Sequence, residues 1–244
     1  MPEQRAELAP LIAIVGCDGS GKSTVSEEIL TWARRYGPAE AAHLGKQAGN
    51  IARAIAQWPL IGPHLDKLIA RKADKTRALH HEKTPGFMTA LVIYAFSLRR
   101  LRRFKRMMAL RRQGLIIVAD RFPQLEVQGA YDGPGLSVAA PGSPFVRWLA
   151  RRERAMYERM TVHRPDLVLR LNVDLDTACA RKPDHRREVL RHKVEATPLL
   201  TFNGATMVDI DANRSLAEVL TDARAAVAHA LKARGYARHS EQSA

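Results

Sequence analysis

Residues Gly16 to Thr24 read Gly-Cys-Asp-Gly-Ser-Gly-Lys-Ser-Thr, between the apolar run Leu11 to Val15 and a helical pattern, Ser23 to Tyr36, that Gly37 and Pro38 stop. This is a complete G-x-x-x-x-G-K-[ST] string in its working context. Gly16, Gly19 and Gly21 let successive backbone N–H groups wrap an anion, and the helix that follows turns its positive dipole end toward the same point. A strand that delivers such a loop has to lie in a sheet whose helices return over its faces, so the rest of the chain is expected to consist of strand and helix units.

Four more short runs fit that expectation: Glu40 to Leu44, although Ala39, Ala41 and Ala42 favour helix, then Leu115 to Ala119, Asp166 to Leu171 and Thr206 to Ile210. Between them, Phe87 to Arg112 reads as a long helix closed at Gly114, with Tyr94, Leu98, Leu101 and Met108 as its buried stripe. Ser215 to Ala233 is a further helix, with Leu216, Val219, Leu220, Ala223, Val227 and Leu231 at helical spacing. The predicted class is α/β, a P-loop NTPase fold with a five-stranded parallel sheet flanked by helices on both faces. With 244 residues, one domain over residues 1–236 is expected, with a helical insertion at about 49–86, where Pro59, Pro63 and Pro85 interrupt the pattern, and a flexible tail at 237–244.

The loop assigns its own chemistry. Lys22 is expected to bridge the β and γ phosphates of ATP, while the Ser23 hydroxyl is a ligand for Mg²⁺. The third strand runs into Asp120-Arg121, and in a doubly wound sheet the carboxyl ends of the strands open onto the ligand crevice. There an aspartate can hold a metal-bound water or take a proton from an acceptor hydroxyl, and an arginine can grip an acceptor phosphate bidentately. After the fourth strand, Arg181, Lys182, Arg186, Arg187 and Arg191 form a basic segment able to close over ATP, with Arg186 and Arg187 as candidates for charge on the transferring phosphoryl group. His185 and His192 read as solvated neighbours.

With these residues in place the chain resembles the thymidylate kinase family of P-loop nucleoside and nucleotide kinases, at five places spread over nearly its whole length. The resemblance implies that the P-loop, with Gly16, Asp18, Gly19, Ser20, Gly21, Lys22, Ser23 and Thr24, binds ATP, and that Asp18 also faces the acceptor sugar. It implies that Arg121 contacts the acceptor phosphate, that Arg99 on the long helix contacts the acceptor, and that Arg181 packs on the adenine. Asp211, Ala212 and Asn213 stand where the family's backbone borders the base. The chain departs from the family after its second strand, where His43 to Gly49 reads HLGKQAG in place of an Arg-Glu-Pro motif. It departs again after Arg121, where FPQLEVQGAYDGPG replaces the family's acceptor-base pattern and leaves Gln128 as a loose acceptor candidate.

The expected activity is therefore ATP-dependent phosphoryl transfer to a nucleoside monophosphate, with a nucleoside or another phosphorylated metabolite as alternative acceptor. The charge keeps a reading from another class open. Lys and Arg number 39 against 25 for Asp and Glu, and between Arg99 and Arg112 eight of fourteen residues are basic. Such a surplus suits an NTPase that docks on nucleic acid or an anionic membrane through its basic helix, reinforced by Arg147, Arg151, Arg152 and Arg154, although no nucleic-acid motif accompanies it. A homodimer is compatible with either reading. Two cysteines without disulfide or metal-ligand spacing, and the absence of a basic leader, give a cytoplasmic expectation.

Overall fold

The computed structural model describes residues 8–45, 86–127, 132–138 and 143–238. Gln128 and most of the expected insertion and tail lie outside the described residues.

Every residue of β1 (Leu11–Gly16) is buried, because both faces of the strand are covered. Ile12 and Ile14 meet Val25, Ile29 and Ala33 of α1 (Lys22–Ala33), together with Val219, Val227 and Leu231 of α6 (Leu216–Ala233). On the opposite face Leu11, Ala13 and Val15 meet Phe104, Met107 and Met108 of α2 (Phe87–Arg112), with Tyr157 and Met160 of α3 (Pro144–Thr161). Period-two alternation within an all-apolar strand thus divides the core into two layers, one on each side of the sheet.

The sheet contains β2 (Ala39–His43), β3 (Ile116–Asp120), β4 (Leu167–Asn172) and β5 (Met207–Asp211) besides β1, all parallel, in the order β2-β3-β1-β4-β5. The expected five-stranded parallel sheet is therefore present, with strand boundaries shifted by about one residue. The alanine-rich segment forms strand despite its helical propensity because β3 supplies a continuous ladder for it. In register, Ile14 lies beside Asp120 and Gly16 beside Leu171, which places the phosphate-binding loop between the ends of β3 and β4.

Two helices differ from expectation. In α2 the buried residues are Ala90, Ser97, Arg100, Phe104, Met107, Met108 and Arg111, while Leu98 is exposed and Tyr94 and Leu101 are only half-buried. The inward stripe is rotated by about one residue because buried polar partners await Ser97, Arg100 and Arg111. Helix α3, not anticipated as an element, starts at Ser143, whose hydroxyl accepts from Val146 N at 3.3 Å, with Pro144 in the first turn. Helices α4 (Leu175–Arg181) and α5 (Arg187–Ala196) follow β4. No described helix is long and apolar enough to cross a membrane.

Candidate nucleotide and acceptor site

The turn between β1 and α1 has the backbone that the glycines predict. Gly19 has φ +89°, and a Cβ there would stand 3.0 Å from the carbonyl oxygen of Ala178 in α4, so both conformation and space disfavour a side chain. Ser23 and Thr24 sit exposed in the first turn of α1. Lys22 is buried and donates to Cys17 O at 2.5 Å. Burial, helped by the charge of Arg121, pushes its ammonium below the usual lysine range, against the opposing pull of Asp18 and Asp120.

Asp120 ends β3 next to this loop. Its Oδ2 lies 3.0 Å from His43 Nδ1, whereas its Oδ1 is buried without a hydrogen-bond partner among the described residues. A lone buried carboxylate oxygen at the mouth of a phosphate-binding loop fits a water held by a divalent cation, and Ser23 stands on the same loop. The residues present thus fit Mg²⁺ bound together with a triphosphate.

Arg121 follows in a left-handed conformation, φ 65°, uncommon for a residue with a side chain. That turn sends its guanidinium back across the loop to Asp18 Oδ1 at 3.0 Å. The side chain also passes over Gly45, where a Cβ would stand only 2.7 Å from Arg121 Cδ. His43 and Gly45, noted in the sequence only for replacing another motif, are therefore the residues that hold Asp120 and admit Arg121.

Asp18 has a second partner that sequence reasoning missed. Its Oδ2 accepts from Lys193 Nζ of α5, and His185 Nε2 lies 3.8 Å from the same oxygen. Burial opposes ionisation of this carboxyl, but the hydrogen bond and charge of Lys193, with Lys22 and Arg121, hold it well below the usual carboxylate range.

On the other flank Arg181 donates to Gly19 O at 3.2 Å and to Ala212 O at 2.9 Å, joining α4 to the P-loop and to the turn after β5. In that turn Asp211 Oδ1 accepts from Asn213 N and Nδ2, and Asn213 Oδ1 accepts from Asp174 N. Arg186 is exposed at the N-cap of α5, and Arg187 is exposed and paired with Asp176 at 2.6 Å.

Arg99 has no described hydrogen bond or ion pair to the P-loop, Asp120 or Arg121. It is exposed on α2, and its neighbour Arg100 is the fully buried arginine. One residue is about 100° of helix rotation, which suffices to exchange solvent for core. Arg100 donates to Asp132 O at 2.8 Å and Tyr157 Oη at 3.0 Å, and bonds Leu44 O and the Asp132 carboxylate. It also reaches Arg121 O at 3.5 Å, so it braces the backbone that aims Arg121.

No model of a protein family matches the chain. It is 38% identical over 218 residues to the ATP-binding protein YghR of Escherichia coli, covering 89% of this chain and 86% of that protein. It is 40% identical over 225 residues to the ATP-binding protein YghS of the same species, covering 91% and 93%. A "probable thymidylate kinase" of Pyrobaculum aerophilum is 30% identical over 176 residues, covering 70% of this chain and 68% of that protein.

Proposed function

The chain belongs to the family of the ATP-binding proteins YghR and YghS, and from that premise we propose that it is an ATP-dependent phosphotransferase whose acceptor is a nucleoside monophosphate. The observation that carries this reading is the meeting of Arg121 with Asp18 across the P-loop, beside the partnerless buried oxygen of Asp120. A loop that only bound ATP with its Mg²⁺ would use Asp120 but would have no need of Arg121. The likeness to proteins named for thymidylate kinase supports an acceptor of the nucleotide class.

In this reading Lys22 holds the β and γ phosphates, whose charge favours its ammonium form against burial. Gly19 and its neighbours present backbone N–H groups to the triphosphate, and Arg181, with the Asp211 to Asn213 turn, forms the wall of the adenine pocket. Mg²⁺, when bound, neutralises charge on the phosphates. Ser23 and Asp120 are the residues that would hold it, with His43 fixing the Asp120 carboxylate. Arg121, aimed by its left-handed backbone, grips the acceptor phosphate, and Arg186 is the exposed lid arginine nearest in sequence to the paired Arg187. Catalysis of this kind is positioning and electrostatic stabilisation more than covalent chemistry.

The test is ADP release from ATP and Mg²⁺, screened across nucleosides and nucleoside monophosphates. Turnover with at least one monophosphate is expected, and Lys22→Ala is expected to lower it by roughly three orders of magnitude or more. Turnover with nucleosides alone would move the acceptor to that class, and none with any acceptor would overturn the proposal.

A further inference from the structure

Asp18 is shared by cations from three elements. Arg121 comes from the end of β3, Lys22 from the start of α1, and Lys193 from the last turns of α5, on the far side of the basic segment after β4. Lys193 is half-buried, and its backbone is held by Thr197 Oγ1, which donates to Lys193 O at 2.7 Å. Asp18 is a residue of the loop, so the Lys193 ammonium bonded to it stands at the loop itself.

The loop already has its phosphate lysine in Lys22, and Arg121 bonds Asp18 Oδ1 while Lys193 bonds Oδ2, from which His185 Nε2 stands 3.8 Å away, so Asp18 keeps one bonded partner and one near neighbour when Lys193 leaves. We propose that Lys193 is a transferable counter-ion. It is stored on Asp18 in the unliganded protein and moves to the terminal phosphate of bound ATP, leaving Asp18 to Arg121. This inference rests on the phosphotransferase reading above.

Three physical points support it. A terminal phosphate carries more charge than one carboxylate, so at equal distance it attracts an ammonium more strongly. Lysine presents a compact charge on a flexible four-carbon stem, and can change partner without displacing its helix. The segment is also tied to the loop independently of Lys193, through Arg181 on Gly19 O and Ala212 O, so an exchange at Asp18 does not release it. During transfer the bond from the terminal phosphorus to the bridging oxygen breaks with its electron pair leaving on ADP. A bond to the acceptor oxygen forms, and Lys193 keeps its proton throughout, contributing charge alone.

The experiment is a double-mutant cycle of Asp18→Asn and Lys193→Met, read by thermal midpoint without ligand and with Mg²⁺ plus a non-hydrolysable ATP analogue. Without ligand the two changes should be strongly non-additive, the double variant melting no lower than the worse single one. With the analogue bound they should become additive. In turnover, Lys193→Met should lower kcat about 100-fold with KM for ATP within about threefold, and Lys193→Arg should recover at least about a tenth of the lost rate. Coupling that persists with the analogue bound, or an unchanged kcat, makes Lys193 a structural tether and overturns the inference. If the wild type binds the analogue but turns over no acceptor, the phosphotransferase reading fails while the cycle still decides whether Lys193 moves. A wild type that does not bind the analogue sinks both.

Discussion

A carboxylate that accepts from an ammonium and a guanidinium ionises more readily in the folded chain than in the unfolded one, and Asp18 is in that position. Its folded pKa is depressed, so its contribution to stability is complete above the unfolded value, about 4, and is lost as pH falls through the folded one. Urea unfolding midpoints measured between pH 6 and 3 should therefore decline more steeply in the wild type than in Asp18→Asn, and parallel profiles would count against the pairing. At Gly19 the prediction is steric. Gly19→Ala must hold φ near +89° and push against Ala178 O, so titration with an ATP analogue should show binding weakened by at least about tenfold. Residues of this kind were legible in the sequence because their chemistry is local: the P-loop, Asp120 and Arg121 each follow directly from a strand end. Lys193 was not, since an exposed-looking lysine on a short basic helix carries no signal of what lies across the fold. Arg99 and Arg100 could not be told apart either, because adjacent arginines differ only in which way the helix turns them, and the packing of α3 settles that.

Helices α2 and α3 meet through buried polar contacts as well as the apolar cluster of Ala90, Val146, Leu149 and Ala150, and the polar part is why hydrophobic periodicity misplaced the stripe of α2. Glu153 of α3 is fully buried and accepts from Ser97 Oγ of α2, from Gly135 N at 3.0 Å and from Leu136 N at 2.7 Å. The loop it fixes carries Asp132, the partner of Arg100, which in turn braces Arg121 O. The chain of contacts thus runs from a buried glutamate through a loop and an arginine to the acceptor side of the site. Glu153→Ala leaves two backbone donors unpaired and should cost about 3 kcal/mol, lowering the melting temperature by roughly 6–12 °C. A calorimetric midpoint within about 2 °C of wild type would show that water or a neighbour replaces the carboxylate. The start of α3 was readable in principle, since Ser143-Pro144 is a cap signal. The burial of its one inward glutamate was not, because an acid among arginines reads as a surface residue.

Across the whole molecule the formal +14 separates into charges that the fold uses and charges that it leaves in solvent. Arg100 and Arg111 of the basic run are buried, Arg111 on Ala9 O and Asp166 at the opposite end of the sheet from the P-loop, with Arg234 sharing that aspartate. Arg103 donates to Gly45 O at 2.8 Å. What remains exposed on α2 is Arg99, Arg102, Lys105, Arg106 and Arg112, on a helix without an acidic residue, beside Arg147, Arg151, Arg152 and Arg154 of α3, where Arg154 pairs with Glu158. These lie on the layer that covers one face of the sheet, and none of them reaches the P-loop residues through a described contact. Uncompensated charge of this density attracts any polyanion without reading its sequence, and the attraction weakens as salt replaces the released counter-ions. Binding to double-stranded DNA should therefore fall steeply between about 50 and 200 mM salt and be indifferent to base sequence. The combined variant Arg102→Glu, Lys105→Glu, Arg106→Glu, Arg151→Glu should flatten the salt slope by roughly 0.9 for each phosphate contact removed, and leave the ATP-analogue affinity unchanged. A slope that survives the four reversals would place polyanion binding at the nucleotide site instead, where Lys22, Arg121 and Lys193 supply the charge, and excess Mg²⁺ and ATP analogue would then compete it away.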